Sequence, residues 1–349
     1  MTAQTAFVTA ATSGLALGGT WLFLFPFSRW LIRQDVVDIP NARSSHRLPT
    51  PVGGGLLIVL FTLLGLLAGQ LILSLLGWLA LFGYIAGAVL IAGVSWIDDL
   101  HHLPNRIRFS VHLIGTLLAI LAFGYWQRIT LPWVGTIALP GAAAVVTIFW
   151  IVGLTNVFNF MDGIDGIAGS QGVIAGAGWL VLGAITGQAF VALMGALLAS
   201  TCLGFLAHNW APARVFMGDV ASSFLGFSFA VLAVVGARQN ADLPVAGALL
   251  LWPFLFDATF TLARRLMRRE NIFAAHRSHL YQRLVIVGFS HQSVSIAYVF
   301  LYLVGLCLAV IWTTDAPFRS GVLLLVPLLS FALWQATRVC EQRSSATAR

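Results

Sequence analysis

The residues best suited to chemistry lie in one stretch, Asn156 to Gly166, which reads N-V-F-N-F-M-D-G-I-D-G. Asp162 and Asp165 stand three apart, and Asn156 and Asn159 precede them at the same spacing. Residues three apart share a helix face, so Asn156, Asn159 and Asp162 can converge. Gly163 and Gly166 permit a tight backbone where such a helix breaks. The chain holds only 12 acids in 349 residues, so packing does not explain this pair. An EF-hand is a poor match, because the D-x-D-x-D-G order and the closing Glu are absent.

Other polar stretches carry further candidates. W-I-D-D-L sets Asp98 beside Asp99. Adjacent carboxylates raise each other's pKa unless a cation lies between them. They are either solvated loop acids or a site for a hard divalent cation, with one of them free to act as base. F-M-G-D puts Asp219 at the head of an apolar run, where an Asp caps a helix, binds a metal, or does both. A-R-R-L-M-R-R-E and A-H-R-S-H-L-Y-Q-R-L gather Arg264, Arg265, Arg268, Arg269, His276, Arg277, His279 and Arg283. Arg268 and Arg269 suit an anchor to anionic lipid. His276 and His279 lack the partners of a zinc site. Asp38 to Gly55 sets Arg43, His46 and Arg47 between prolines and ends in three glycines, whose N–H groups at a helix start suit a phosphate. Asp257 is the one acid inside a predicted span. An intramembrane carboxylate needs a partner, and Arg264 or Arg265, one to two turns on, is the expected one.

The elements that position these residues are membrane helices. The chain is 59% hydrophobic and 9% charged, against roughly a quarter charged in soluble proteins. Its apolar runs are continuous, not alternating, which indicates helices and not a barrel. The expected fold is an all-α polytopic membrane protein, one domain over 1–349 with a polar tail from 338, and eleven spans, or ten if 53–96 divides differently. The spans read as 5–27, 53–73, 77–96, 109–125, 142–158, 167–186, 189–207, 220–237, 243–263, 293–313 and 320–337. The segment 127–140 is a punctuated loop with Trp126 and Trp133 suited to an interface.

All 19 basic residues are Arg and none is Lys. With eleven spans, only Arg128, Arg238 and Arg319 face outward, leaving 19 − 3 = 16 inside. That bias places the N-terminus on the outer side of the membrane and the C-terminus in the cytoplasm. Every polar constellation then falls on the cytoplasmic face. No basic residue precedes the first apolar run, so that run does not read as a cleaved signal peptide. Cys202, Cys307 and Cys340 form neither a disulfide framework nor a metal pattern. The charge is scattered through loops, which excludes a nucleic-acid partner. No internal repeat is evident, which weighs against an inverted-repeat transporter.

Taken together, the motifs resemble the polyprenyl-phosphate N-acetylhexosamine-1-phosphate transferase family. P-N-x-R-S-S-H-x-x-P-T-P-x-G-G-G, D-D, N-x-F-N-x-x-D-G-I-D-G, F-M-G-D and a His loop occur in that family's order over most of the chain. The resemblance implies that Asp98 and Asp99 work at the metal and the lipid phosphate, with His279 as a further catalytic residue. Asp219, with Asp99, matches the magnesium site. Asn156, Asn159, Asp162 and Asp165 match the nucleotide-sugar motif, and Arg43, His46, Arg264, Arg265, His276 and Arg277 are the expected substrate contacts. Tyr281 stands where the family often has a second His, and H-R-S-H-L-Y-Q-R-L is similar to the O-antigen-initiating branch. The implied reaction moves an N-acetylhexosamine 1-phosphate (GlcNAc, QuiNAc or FucNAc type) from a UDP-sugar to undecaprenyl phosphate, releasing UMP. Mg2+ is the implied cofactor, with Mn2+ as a substitute. Expected partners are the UDP-N-acetylhexosamine, undecaprenyl phosphate and membrane lipid, with a homodimer allowed. A CDP-alcohol phosphotransferase is disfavoured, since Asp162-Gly163 runs into Ile164-Asp165 and not into its D-G-x-x-A-R motif. A lipid or sugar flippase is the alternative, and it calls for several mid-membrane charges where only Asp257 qualifies.

Overall fold

The computed structural model describes residues 1–39, 49–271, 274, 276–314 and 316–347. Arg43, His46 and Arg47 lie outside them. The first helix, α1 (Ala3–Arg33), starts where the Thr2 hydroxyl accepts the Thr5 N–H at 3.2 Å, a cap that satisfies one orphan donor. Two short strands, β1 (Val37–Asp38) and β2 (Thr50–Pro51), pair antiparallel with Val37 opposite Pro51. Then come α2 (Leu56–Leu73), α3 (Trp78–His101) and α4 (Asn105–Phe123). The segment read as a loop is a hairpin of β3 (Arg128–Leu131) and β4 (Gly135–Ala138). Trp126 beside it is buried and donates to the Ala233 carbonyl, whereas Trp133 is exposed.

The helices α5 (Ala143–Phe160), α6 (Ile167–Ile185), α7 (Ala189–Asn209) and α8 (Asp219–Ala237) follow. Every residue of α8 from Val220 to Gly236 is buried. A helix apolar on all faces belongs at the centre of a bundle, and α2, α3, α5, α6 and α9 (Leu243–Leu250) pack around it. Small residues allow that approach: Ser228 on α8 meets the Tyr84 hydroxyl of α3 at 2.8 Å.

One expected span is broken. Residues 243–263 form α9 and α10 (Trp252–Met267), bent by 76° at Leu251. Pro253 in the first turn of α10 has no N–H to continue the α9 ladder, which accounts for the kink. The short α11 (Leu280–Ile286) leads to α12 (His291–Thr313), α13 (Arg319–Val322) and α14 (Leu325–Thr347). Among the described residues, ten helices are long and apolar enough to cross a membrane, or eleven if the bent pair counts as one span. The polar tail from 338 continues α14 as helix through Thr347.

Two boundaries differ from expectation in ways that matter for the site. Helix α3 runs past Trp96 to His101, so Asp98 and Asp99 sit on its last turn and not in a loop. Two of the three glycines before α2 do not hold free donors: the Gly54 N–H bonds the Phe216 carbonyl and the Gly55 N–H the Met217 carbonyl, each at 3.0 Å. That run therefore ties α2 to the F-M-G-D segment.

Candidate active site

The last turn of α3, the first turn of α4, the 161–166 loop and the start of α8 converge on a cavity of about 950 Å3. Asp98, Asp99, Asp162, Asp165 and Asp219 all line it, with Arg108, Phe216, Gln282 and His291 among their neighbours. The acids lie far apart in sequence, and helix packing brings them together.

Arg108 is the bracket of the cluster. Its Nη1 bonds Asp98 Oδ2 at 2.8 Å, and its Nη2 bonds both Asp219 Oδ2 at 2.9 Å and Asn159 Oδ1 at 3.1 Å. A planar guanidinium can span three acceptors in this way, and a lysine ammonium cannot match the geometry. Asn159 completes the bracket by donating its Nδ2 to Ser222 Oγ at 3.0 Å. Asp98 also accepts the Leu103 N–H at 2.6 Å, which pins the short connection from α3 to α4.

Asp99 has a structural task as well. Its two oxygens accept the Asp219 and Val220 N–H groups at 2.9 and 3.2 Å. These are orphan donors of the first turn of α8. The N-cap position itself is Gly218, which has no side chain to offer. Its φ of +76° and the approach of Asp99 Oδ2, 2.6 Å from where a Cβ would stand, require glycine there. Asp219 is thus the first helical residue and not the cap, and its carboxylate is left for the cavity.

In the 161–166 loop, Asp165 Oδ2 accepts the Ala213 N–H at 3.0 Å and Oδ1 lies 3.2 Å from His291 Nδ1. Asn209 closes α7 by accepting the Gly166 N–H and donating to the Val215 carbonyl. Burial first, and then the charges of Asp219 and Asp165, push the Asp162 carboxyl up to about 7 from its ordinary value near 3.8. With no divalent cation bound, Asp162 is therefore protonated below about pH 7 and charged above it. Carboxyl infrared titration of the metal-free protein should show a signal with this midpoint that disappears in Asp162→Asn. A midpoint near 4 would mean the carboxyl is solvated.

The remaining candidates among the described residues do not line this cavity. Asn156 donates to the Val152 carbonyl within α5. His279 is buried, with its Nδ1 3.4 Å from Asp257 Oδ1. Arg264 donates to the Ser278 carbonyl at 2.7 Å and Arg265 to the Asn271 carbonyl at 2.6 Å. They shape the loop before α11 and are not the partners expected for Asp257. His276 Nδ1 meets Ser278 Oγ at 2.9 Å. Burial and the charges of His279, Arg265 and Arg264 lower its pKa to about 4, so it is neutral at pH 7. Arg277 lies in the same loop.

Sequence reasoning missed Arg108, His291, Gln282 and Asn209 as neighbours of the acids. Arg108 left a faint signal, being the last polar residue of the segment that begins with Asp98-Asp99.

Among the described residues, no three His, Cys, Asp or Glu converge on a metal. The donor set still fits Mg2+. That ion is usually held by one or two carboxylates, with water and phosphate oxygens completing the shell. Seven carboxylates line the cavity, Asp35 and Asp38 as well as the five above, and Arg108 is its only arginine among the described residues, so the charge balance favours a cation.

Residues 81–237 match the family model described as glycosyl transferase family 4. A probable undecaprenyl-phosphate N-acetylglucosaminyl 1-phosphate transferase of Bacillus subtilis is 30% identical over 299 residues, covering 82% of this chain and 79% of that protein. A decaprenyl-phosphate N-acetylglucosaminephosphotransferase of Mycobacterium leprae is 31% identical over 291 residues, covering 75% and 73%. A phospho-N-acetylmuramoyl-pentapeptide-transferase of Chlamydia muridarum is 35% identical over 237 residues, covering 59% and 69%. With the acids of its matched segment gathered on one cavity, and with similarity that runs well beyond that segment, the chain belongs to glycosyl transferase family 4.

Proposed function

We propose that this protein transfers an N-acetylhexosamine 1-phosphate from a UDP-sugar to undecaprenyl phosphate. A phosphate oxygen of the lipid attacks the sugar-bearing phosphorus. The bond from that phosphorus to the UMP oxygen breaks, UMP leaves, and a lipid pyrophosphoryl sugar remains. The observation that carries this reading is the acid cluster bracketed by Arg108 in a membrane chain whose relatives bear polyprenyl-phosphate transferase names.

Two polyanions must meet, so electrostatic stabilisation and positioning dominate the work. The lipid phosphate is already ionised at pH 7 and needs no strong base. Asp98 then serves as orienter of the acceptor, held between Arg108 and the Leu103 N–H. Asp219, with Asp99 beside it, would hold Mg2+, which when bound neutralises phosphate charge. The 161–166 loop carries the nucleotide-sugar contacts through Asp162 and Asp165. GlcNAc is the first sugar to test, because the Bacillus and Mycobacterium relatives are named for it. The H-R-S-H-L-Y-Q-R-L loop keeps QuiNAc and FucNAc in the screen. The product would initiate a cell-surface polysaccharide. The excess of inward arginines supports a cytoplasmic site, with the N-terminus periplasmic.

The test is exchange of labelled UMP into UDP-GlcNAc, UDP-QuiNAc and UDP-FucNAc by membranes carrying the protein, with Mg2+ or with excess EDTA. Exchange should require undecaprenyl phosphate and Mg2+, with one sugar preferred. Full turnover in EDTA, or wild-type turnover in both Asp98→Asn and Asp219→Asn, would overturn the assignment.

A further inference from the structure

Asp257 is fully buried in α10, yet among the described residues no arginine meets it. Its carboxylate instead collects N–H and O–H groups from three elements and the loop between them. The Leu280 and Tyr281 N–H groups at the start of α11 bond it at 2.7 and 3.2 Å. The Tyr298 hydroxyl of α12 bonds it at 2.6 Å and the Thr261 hydroxyl at 3.2 Å, with His279 Nδ1 at 3.4 Å. Packing alone does not call for such a centre. A well-packed apolar residue commonly serves as well or better at a buried charged position. What the carboxylate adds is a fixed position for α11 relative to α10 and α12.

That position is passed on toward the cavity. The Tyr281 ring is fully buried, and its hydroxyl donates to the Phe160 carbonyl at 3.2 Å. Phe160 ends α5, two residues before Asp162. Tyr281 also lies directly on Gly163, where any Cβ would collide with its hydroxyl. Gln282, the next residue, lines the cavity, and its Oε1 accepts the His279 N–H at 3.3 Å. A continuous strut thus runs from Asp257 through the start of α11 to Tyr281 and Gln282, and from these to Phe160, Gly163 and the acid loop.

We infer that Asp257 is a positioning residue for the cavity, which through Tyr281 and Gln282 fixes the backbone of residues 161–166. What that loop binds rests on the transferase reading above, and the strut itself does not. Removing a hydrogen bond to a charged acceptor costs roughly tenfold or more in an equilibrium constant. Asp257→Asn cannot accept the same donors, and Tyr281→Phe keeps the ring while removing the far link.

In the full-length enzyme, each variant should raise KM for the UDP-sugar about tenfold with a smaller change in kcat. The double variant should be no worse than the more damaged single one, because both cut the same strut. Additive effects, or an unchanged KM with only the amount of folded enzyme reduced, would overturn the inference. Tyr298→Phe with Tyr281→Phe serves as the second pair if Asp257→Asn does not fold. Hydrogen exchange in detergent, read without substrate, is the independent arm. Tyr298→Phe should lower protection in residues 280–286 and in 160–166 together. Loss confined to 280–286 would overturn the coupling. If the wild type turns over no UDP-sugar, the proposed function fails, and exchange still decides the role of Asp257.

Discussion

Replacing Arg108 with glutamine is expected to cut kcat/KM about 100- to 1000-fold in a protein that still folds. The guanidinium joins Asp98, Asp219 and the Asn159 amide, and it is the only arginine lining the cavity among the described residues. Breaking a buried ion pair by removing one partner costs about 3–5 kcal/mol, because the charge left behind stays desolvated. Here the cost falls on two carboxylates in the working cavity. The fold has other support at this point: Asp98 still accepts the Leu103 N–H, and Asn159 still donates to Ser222. Arg108→Lys should recover only part of the loss, since an ammonium supplies the charge without the planar fork. UMP exchange in membranes with matched protein levels reads the effect. A glutamine variant within threefold of wild type would show that the bracket does not matter to turnover.

How much of this was legible beforehand depends on whether a feature is local. Span positions follow from apolar runs, and most helices start and stop within a few residues of the expected limits. The acids were legible because carboxylates at the ends of apolar runs stand out in a chain so poor in charge. The 76° bend was signalled by Pro253, but a continuous apolar window of span length hid it. Arg108 was barely legible. An arginine in the first turn of a helix expected to start on the cytoplasmic side is what the positive-inside bias already predicts, so its type carries little extra information. His291 was hidden for a similar reason, as a polar residue opening α12. Asp257 shows the limit of spacing arguments most clearly. Helical periodicity offered Arg264 and Arg265, while its partners, Thr261 apart, come from the start of α11 and from α12, brought in by the turn of the chain after α10. The phosphate-binding reading of Gly54 and Gly55 failed on the same ground, since their N–H groups pair with a segment distant in sequence.

Asp99→Asn and Asp219→Asn should separate two roles that adjacency in the cavity conceals. Asp99 accepts two N–H groups from the first turn of α8, the most buried helix of the bundle. An asparagine there can accept with one atom only and turns an NH2 group toward the second donor. Losing such a cap costs about 0.5–2 kcal/mol, so the variant should unfold at a lower temperature in detergent as well as lose turnover. Asp219 takes part in that cap through its backbone alone, and its side chain faces the cavity and Arg108. Changing it to Asn removes one carboxylate from a crowded group and keeps an oxygen for Arg108 to donate to, so this variant should melt above Asp99→Asn. Its turnover should nevertheless fall about 100- to 1000-fold, the range for removing a group that stabilises developing charge. Melting curves and UMP exchange on the same preparations test both. If Asp219→Asn melts below Asp99→Asn, the cap has been assigned to the wrong acid. If Asp219→Asn keeps wild-type turnover, the proposed metal site does not include it.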